Sequence, residues 1–278
     1  MGIAALPTGR SPGVTAPLLV LQLDASDPVG RLGDWLRDAG LELDVRALNA
    51  GDPCPDDLSE HCGVVVLGGS MSANDRDPAY LEQTRSLLRA AVAGEVPTLG
   101  VCLGGQLLAV ANGGRVEVAQ DGPEIGAQLV AKRSTAAEDP LFAPMPITPD
   151  VLQWHFDEIT TLPPGAVQLA SSPGCEQQAY RLGRLAWGLQ FHIETTPETV
   201  REWAREDAQT LTDYDLDRIV ERAVARHDDI AETWQPFAAR FADVVRDPDS
   251  VQFAEKVIDP VRAATMSLAA ELRASRGQ

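Results

Sequence analysis

Lysine is almost missing from this chain. Two of its 23 basic residues are lysine, and 41 acidic residues leave a net charge of −18. So acidic a balance repels nucleic acid and anionic membranes, and neither is expected as a partner. Cysteine is sparse: Cys54, Cys62, Cys102 and Cys175 show no CxxC spacing, which excludes a zinc frame and a dense disulfide scaffold. The sequence shows no metal-ligand cluster, His61 and His227 read as isolated surface residues, and no metal or organic cofactor is expected. No apolar run approaches the roughly 18 residues of a membrane span. The opening MGIAALPTGRSPGVTAP lacks a basic segment followed by a long apolar core, so no secretory signal is expected. Leu6 stands where a myristoylation site needs Ser or Thr. A reactive free cysteine is most easily kept reduced in the cytosol, so the expected location is cytoplasmic.

What is present is ordinary globular material: 278 residues, 44% hydrophobic and 23% charged, enough to bury a sizeable core. Residues 1–16, rich in Gly, Pro, Ser and Thr, read as a disordered tail. Leu18–Leu23, Leu41–Leu48 and Val64–Leu67 read as strands. Between them, Asp27-Pro28 and Asp77-Pro78 have the form of helix caps, with Gly40 and Gly94 as stops. Alternating strands and helices predict an open α/β fold: a mostly parallel sheet flanked by helices, with catalytic groups at the carboxyl ends of the strands. From Val116 to Gln190 the pattern changes to short strands, expected as an antiparallel extension that returns into the sheet. Pro197 opens another helix. Residues 17–212 then form one catalytic unit, and 213–278 a helical C-terminal extension packed on it, with a break or kink at Pro236, a break at Asp247-Pro248 and a last helix near 251–273.

The stretch Pro97–Gly114, PTLGVCLGGQLLAVANGG, organises the rest. A short apolar strand turns sharply on Gly100–Gly105 and continues as a helix ended by Gly113-Gly114. Strand, tight turn and helix with a nucleophilic side chain at the apex is a nucleophile elbow, here carrying Cys102. At a helix N-terminus the macrodipole and free N–H groups favour negative charge on the sulfur. A lone cysteine is otherwise a buried small apolar residue. Here the downstream Phe191-His192-Ile193-Glu194 supplies a base and an orienting acid two residues apart, on the same face if the segment is a strand.

With those residues in place, GVCLGGQ at Gly100–Gln106 and the later His-x-Glu pair, the chain resembles the class I (triad) glutamine amidotransferases of flavodoxin-like fold. It is most similar to stand-alone members like the glutaminase half of GMP synthase. The resemblance runs from about Leu18 to Val245 and implies a Cys102–His192–Glu194 triad. It implies an oxyanion hole from the N–H groups of Leu103 and Gly69, a substrate contact from Gln106, and an acid for the substrate α-ammonium at Asp157 within Trp154-His155-Phe156-Asp157. Two positions depart from the family pattern: Ile193 replaces a usual Pro, and Phe156 a usual small residue.

The implied substrate is glutamine or another γ-glutamyl small molecule, cleaved through a γ-glutamyl thioester. The chain has no P-loop, so the ammonia goes either to a separate synthase subunit or, in a stand-alone γ-glutamyl peptide or amide hydrolase, simply leaves. A non-catalytic binding module on the same scaffold is a third reading, opposed by the intact Cys102, His192 and Glu194. A PfpI-like thiol protease is a fourth, opposed by Leu103 where that group tends to place His. The apolar stripe of Trp234, Phe237 and Phe241 reads as an internal packing face, with a homodimer interface as the alternative.

Overall fold

The structure is a computed structural model that describes residues 16–251 and 253. Most of the expected tail and last helix therefore lies outside the described residues. An eight-stranded sheet runs in the order β2 (Leu43–Ala47), β1 (Leu18–Gln22), β3 (Gly63–Val66), β4 (Thr98–Val101), β12 (Ala186–Leu189), β11 (Ala179–Leu182), β10 (Val167–Ser171), β7 (Ala131–Lys132). The first five strands are parallel and the last three pair antiparallel. Leu18 and Val20 join one core cluster with Leu32 and Trp35, while Leu19 and Leu21 join a second with Leu87 and Leu88. The sheet is thus buried on both faces, which is why VVVL at Val64–Leu67 is apolar throughout.

The antiparallel extension is only partly inside this sheet. β5 (Arg115–Val118) pairs with β9 (Asp157–Thr161), and β6 (Glu124–Leu129) with β8 (Asp150–His155), as two separate ribbons. β5 and β11 carry too few apolar residues in a row to be read from the sequence.

Two expected caps are not caps. Helix α1 spans Gly30–Asp38, three residues beyond Asp27, whose side chain is buried instead. The reason is Gly30, at φ +45°. A Cβ there would lie 2.2 Å from the Glu194 carbonyl oxygen, and the next residue, Arg31, donates its N–H to that oxygen at 2.8 Å. The backbone must turn to reach Glu194 before the helix starts. Helix α2 (Tyr80–Ala93) likewise starts beyond Asp77, with no side-chain cap. Helix α3 is Leu103–Ala111. Helix α4 (Pro197–Glu206) is opened as expected by Pro197, with Thr196 and Thr199 forming a reciprocal capping box.

Helix α5 (Leu216–Arg246) continues through Pro236, where a break or kink was expected. Pro236 removes one backbone donor, but aromatic packing beside it holds the helix. Trp234 packs 5.0 Å from Phe191 and 5.1 Å from Phe237, and Phe237 lies 5.5 Å from Phe142. The Trp234 indole N–H donates to the Asp150 carbonyl at 2.9 Å. Trp234, Phe237 and Phe241 are fully buried in the chain's own core, so this stripe is a packing face.

Trp234→Ala removes the centre of that cluster and leaves the Asp150 carbonyl without its donor. We expect it to cost about 3–5 kcal/mol, read as a lower urea midpoint at unchanged m-value. A loss below about 1 kcal/mol would mean that α5 contributes little to the core.

Candidate active site

β4 delivers Cys102 at φ +49° and ψ −110°, at the start of α3. Such a conformation is strained for a side-chain-bearing residue, by about 1–3 kcal/mol. The surroundings fix it. A Cβ on Gly104 would stand 2.0 Å from the Val66 carbonyl oxygen, so the helix packs on β3 with no room for a side chain. The Cys102 N–H donates to the Leu189 carbonyl at 2.8 Å, tying the turn to β12. Leu103, the first residue of α3, has an N–H with no acceptor within the helix. Gly69, in the loop after β3, borders the same cavity as Cys102, a pocket of about 350 Å³.

His192 and Glu194 lie beyond the end of β12, and their segment is not the regular strand expected. After Leu189 the chain leaves the β11 ladder, and His192 instead bridges to Leu152 of β8, donating its N–H at 2.8 Å. The pair still meets: His192 Nδ1 and Glu194 Oε1 are 2.6 Å apart, both fully buried. Glu194 Oε2 accepts the Ile193 N–H at 2.9 Å, so the residue between them helps to aim the carboxylate. Burial pulls the imidazole toward its neutral form. Glu194, with the Cys102 sulfur beside it, outweighs that and holds His192 well above its ordinary value. With Nδ1 engaged, Nε2 is the nitrogen left for the pocket that His192 shares with Cys102. The Trp203 ring packs 4.6 Å from the imidazole and donates its N–H to the Ser26 carbonyl at 2.9 Å.

Gln106, His155 and Asp157 line the same pocket. The Gln106 amide donates to the Asp157 carbonyl at 3.0 Å and to Gln190 Oε1 at 3.2 Å. One Asp157 carboxylate oxygen accepts from the Ser72 hydroxyl at 2.8 Å. Both ring nitrogens of His155 are engaged, Nδ1 with the Asp157 carbonyl at 3.0 Å and Nε2 with Glu124 at 3.1 Å, so its visible work is to brace the Asp157 turn.

Sequence reasoning missed Trp203, Gln190 and above all Asp27. The Asp27 carboxylate borders the pocket beside His192, and burial pushes it up to about 7. Asp27, His192 and Glu194 bring potential metal-ligating atoms within 4.8 Å of one another, a grouping that was not expected. Both oxygens of Glu194 are already used on His192 and Ile193, so the trio is built as a hydrogen-bonded charge pair with a third acid beside it. No spacing signal links residue 27 to 192, and Asp27-Pro28 has the form of a helix cap. His61 and His227, expected at the surface, are buried. His61 meets Asp44 at 3.0 Å, while His227 bridges the Ala223 carbonyl and Thr195 at 2.9 and 3.2 Å. Burial raises the thiols of Cys54, Cys62 and Cys175, the last to about 12, which leaves them inert at neutral pH.

Comparison with known proteins places the chain in a family. The family model for glutamine amidotransferase class-I matches residues 31–206. The glutamine amidotransferase-like protein YfeJ of Salmonella typhimurium is 29% identical over 206 residues, covering 73% of this chain and 85% of that protein. A glutamine-hydrolyzing GMP synthase of Porphyromonas gingivalis is 33% identical over 141 residues; the match covers 50% of this chain but 26% of that protein. The crystal structure of a glutamine amidotransferase from Methylobacillus flagellatus superposes with a TM-score of 0.73 at 30% identity, over 87% of this chain and 98% of that one.

Glu194→Gln keeps the hydrogen bond to His192 but removes the charge that offsets burial. We expect the imidazole to lose its proton at lower pH in the variant, followed by NMR of the ring nitrogens. An unchanged titration would detach Glu194 from His192.

Proposed function

The chain belongs to the class I glutamine amidotransferase family, and on that premise we propose that it is a thiol amidohydrolase acting on a γ-glutamyl amide. One observation carries the reading: a cysteine held at a strand–helix elbow shares its pocket with an imidazole whose far nitrogen is fixed by a carboxylate at 2.6 Å. In this reading the Cys102 thiol has already passed its proton to His192 Nε2, and the thiolate Sγ attacks the γ-carbonyl carbon. Charge on the carbonyl oxygen is received by the N–H groups of Leu103 and Gly69. His192 returns the proton to the nitrogen, the C–N bond breaks, and a γ-glutamyl thioester remains on Cys102. Water, deprotonated by His192, attacks the thioester, releasing glutamate and restoring the thiol. Gln106 and Asp157 hold the glutamyl end, with the free Asp157 oxygen as partner for the α-ammonium. The residues in these roles need no cofactor. Residues 17–212 supply all of them, and the helical extension from 213 backs the sheet.

With glutamine, the amine released is ammonia. The GMP synthase match covers 26% of that protein, so a separate synthase subunit is one destination for it. A stand-alone hydrolase of a larger γ-glutamyl amide is the other, favoured by a pocket of about 350 Å³ that is lined by polar groups beyond Gln106 and Asp157.

Cys102→Ser should fold and melt like the wild type, because serine fits the same turn, and should lose at least about 10³-fold in kcat/KM. A diazoketone analogue of glutamine should label the wild type at Cys102 and leave the variant unmodified, seen by intact-protein mass spectrometry. Label at another cysteine, or retained turnover, would remove the assignment. Asp157→Ala should raise KM for L-glutamine far more than for an analogue without the α-amino group; equal losses on both would free Asp157 of that role.

A further inference from the structure

Asp27 has no counterpart in the mechanism above, yet it is 94% buried at the wall of the reaction pocket. The only hydrogen-bond partner of its carboxylate among the described residues is the Ser26 hydroxyl, at a long 3.4 Å. No arginine or lysine lines the pocket among the described residues, whereas Asp157, Glu206 and Asp207 also do. Of those acids Asp157 is partnered by Ser72, and Asp207 by the Trp154 indole at 2.8 Å. Asp27 alone is both buried and without a good donor, and the charge on nearby His192 opposes the effect of that burial without cancelling it, so a further positive charge would be stabilising there.

Its position says where that charge would come from. The side chain adjoins Gly68, where a Cβ would lie 2.3 Å from Asp27 Oδ1 and 3.0 Å from His192 Cε1. Asp27 therefore borders the imidazole, whereas Gln106 and Asp157 border each other at the proposed glutamyl end. The nitrogen that receives the His192 proton has to sit at that imidazole, so whatever is attached to it extends into the space Asp27 borders. We propose that Asp27 is a specificity-determining residue that selects γ-glutamyl amides whose departing amine carries a second, cationic amino group, such as a diamine acylated at one end.

This rests on the γ-glutamyl amidohydrolase reading and sharpens its substrate class. The bond changes are those already given: the C–N bond breaks, and the proton from the Cys102 thiol leaves through His192 with the amine. The second ammonium keeps its charge throughout and pairs with the Asp27 carboxylate. Burial raises Asp27 to about 7, with Glu194 and Asp24 adding to the rise and His192 opposing it. The other titratable groups around the pocket are Cys102, His155, Asp157, Glu206 and Asp207. A carboxyl that ionises near neutrality pairs with a cation above that point and ceases to as the pH falls below it.

The test compares kcat/KM on three γ-glutamyl amides of matched length, those of 1,4-diaminobutane, butylamine and 4-aminobutyrate. We expect the wild type at about pH 8 to prefer the diamine over the butylamide by at least about tenfold and to act worst on the carboxylate. That preference should shrink toward about pH 6 and should disappear in Asp27→Asn. If Asp27→Asn does not fold, the pH series on the wild type reads the same carboxylate. Equal rates on diamine and butylamide, a preference that Asp27→Asn retains, or one that does not weaken at acid pH would overturn the proposal while the amidohydrolase reading stands. No turnover of any amide, together with no labelling of Cys102 by the glutamine analogue, would overturn both.

Discussion

Cys102 keeps φ at +49° only because the chain around it leaves no alternative. The helix that follows is pressed so closely on β3 that Gly104 has no room for a side chain, and the Cys102 N–H is spoken for by Leu189 of β12. The strain is held by the parallel core of the sheet, β3–β4–β12, the stretch with buried strands on either side. From that fixed point the sulfur, the free N–H of Leu103 and the entry of α3 are set together. A looser turn would move all three, and a shift of even 1 Å is large in a reaction that depends on alignment.

The second half of the constellation is built by distant segments converging on one short stretch. Glu194 is aimed by the Ile193 N–H, and its backbone carbonyl is gripped by Arg31 where α1 begins. Its neighbour Thr195 bonds His227 of α5, and the Arg31 guanidinium reaches the His227 carbonyl at 3.0 Å. Trp203 of α4 covers the imidazole. The result is a dry seat for an ion pair, in which burial acts against charge on both His192 and Asp27 and has opposite outcomes. His192 has a carboxylate at hydrogen-bonding distance and stays protonated more readily than usual. For Asp27, burial with Glu194 and Asp24 outweighs the opposing charge on nearby His192, and it gives up its proton late.

How much of this was legible in the sequence depended on whether the signal was local. The elbow is local: glycines flanking a cysteine between an apolar strand and a helical run state their geometry within ten residues. Thr196-Pro197 is a local cap, and the double-faced strand Val64–Leu67 announces its burial on its own. The family resemblance added His192, Glu194, Gln106 and Asp157 by motif; the structure brings His192, Gln106 and Asp157 to the Cys102 pocket, with Glu194 bonded to His192 behind it. What failed was non-local. Asp27 looks like a cap because the requirement that displaces it, the close approach of Gly30 to Glu194, involves a residue 164 positions away. His61 and His227 looked solitary because their partners Asp44 and Thr195 are brought to them by the tertiary fold. Pro236 looked like a break or kink because its cost is visible in sequence, whereas the packing of Trp234 and Phe237 that outweighs it is not.

The same distinction bears on the C-terminal helix. The sequence pattern changes at residue 213, from mixed strands to continuous helical periodicity, but the core does not. Trp234, Phe237 and Phe241 belong to one apolar cluster with Leu18, Val101, Trp187 and Cys102 itself. The indole of Trp234 bonds the first residue of β8, the strand whose Leu152 bridges His192. Helix α5 thus reaches the acid–imidazole pair by two short paths, through Leu152 to His192 and through Thr195 to Glu194. An extension that only capped the sheet would need neither contact. The helix therefore belongs to the support of the acid–imidazole pair, and its loss would be felt in the position of His192 before it was felt in the strands of the sheet.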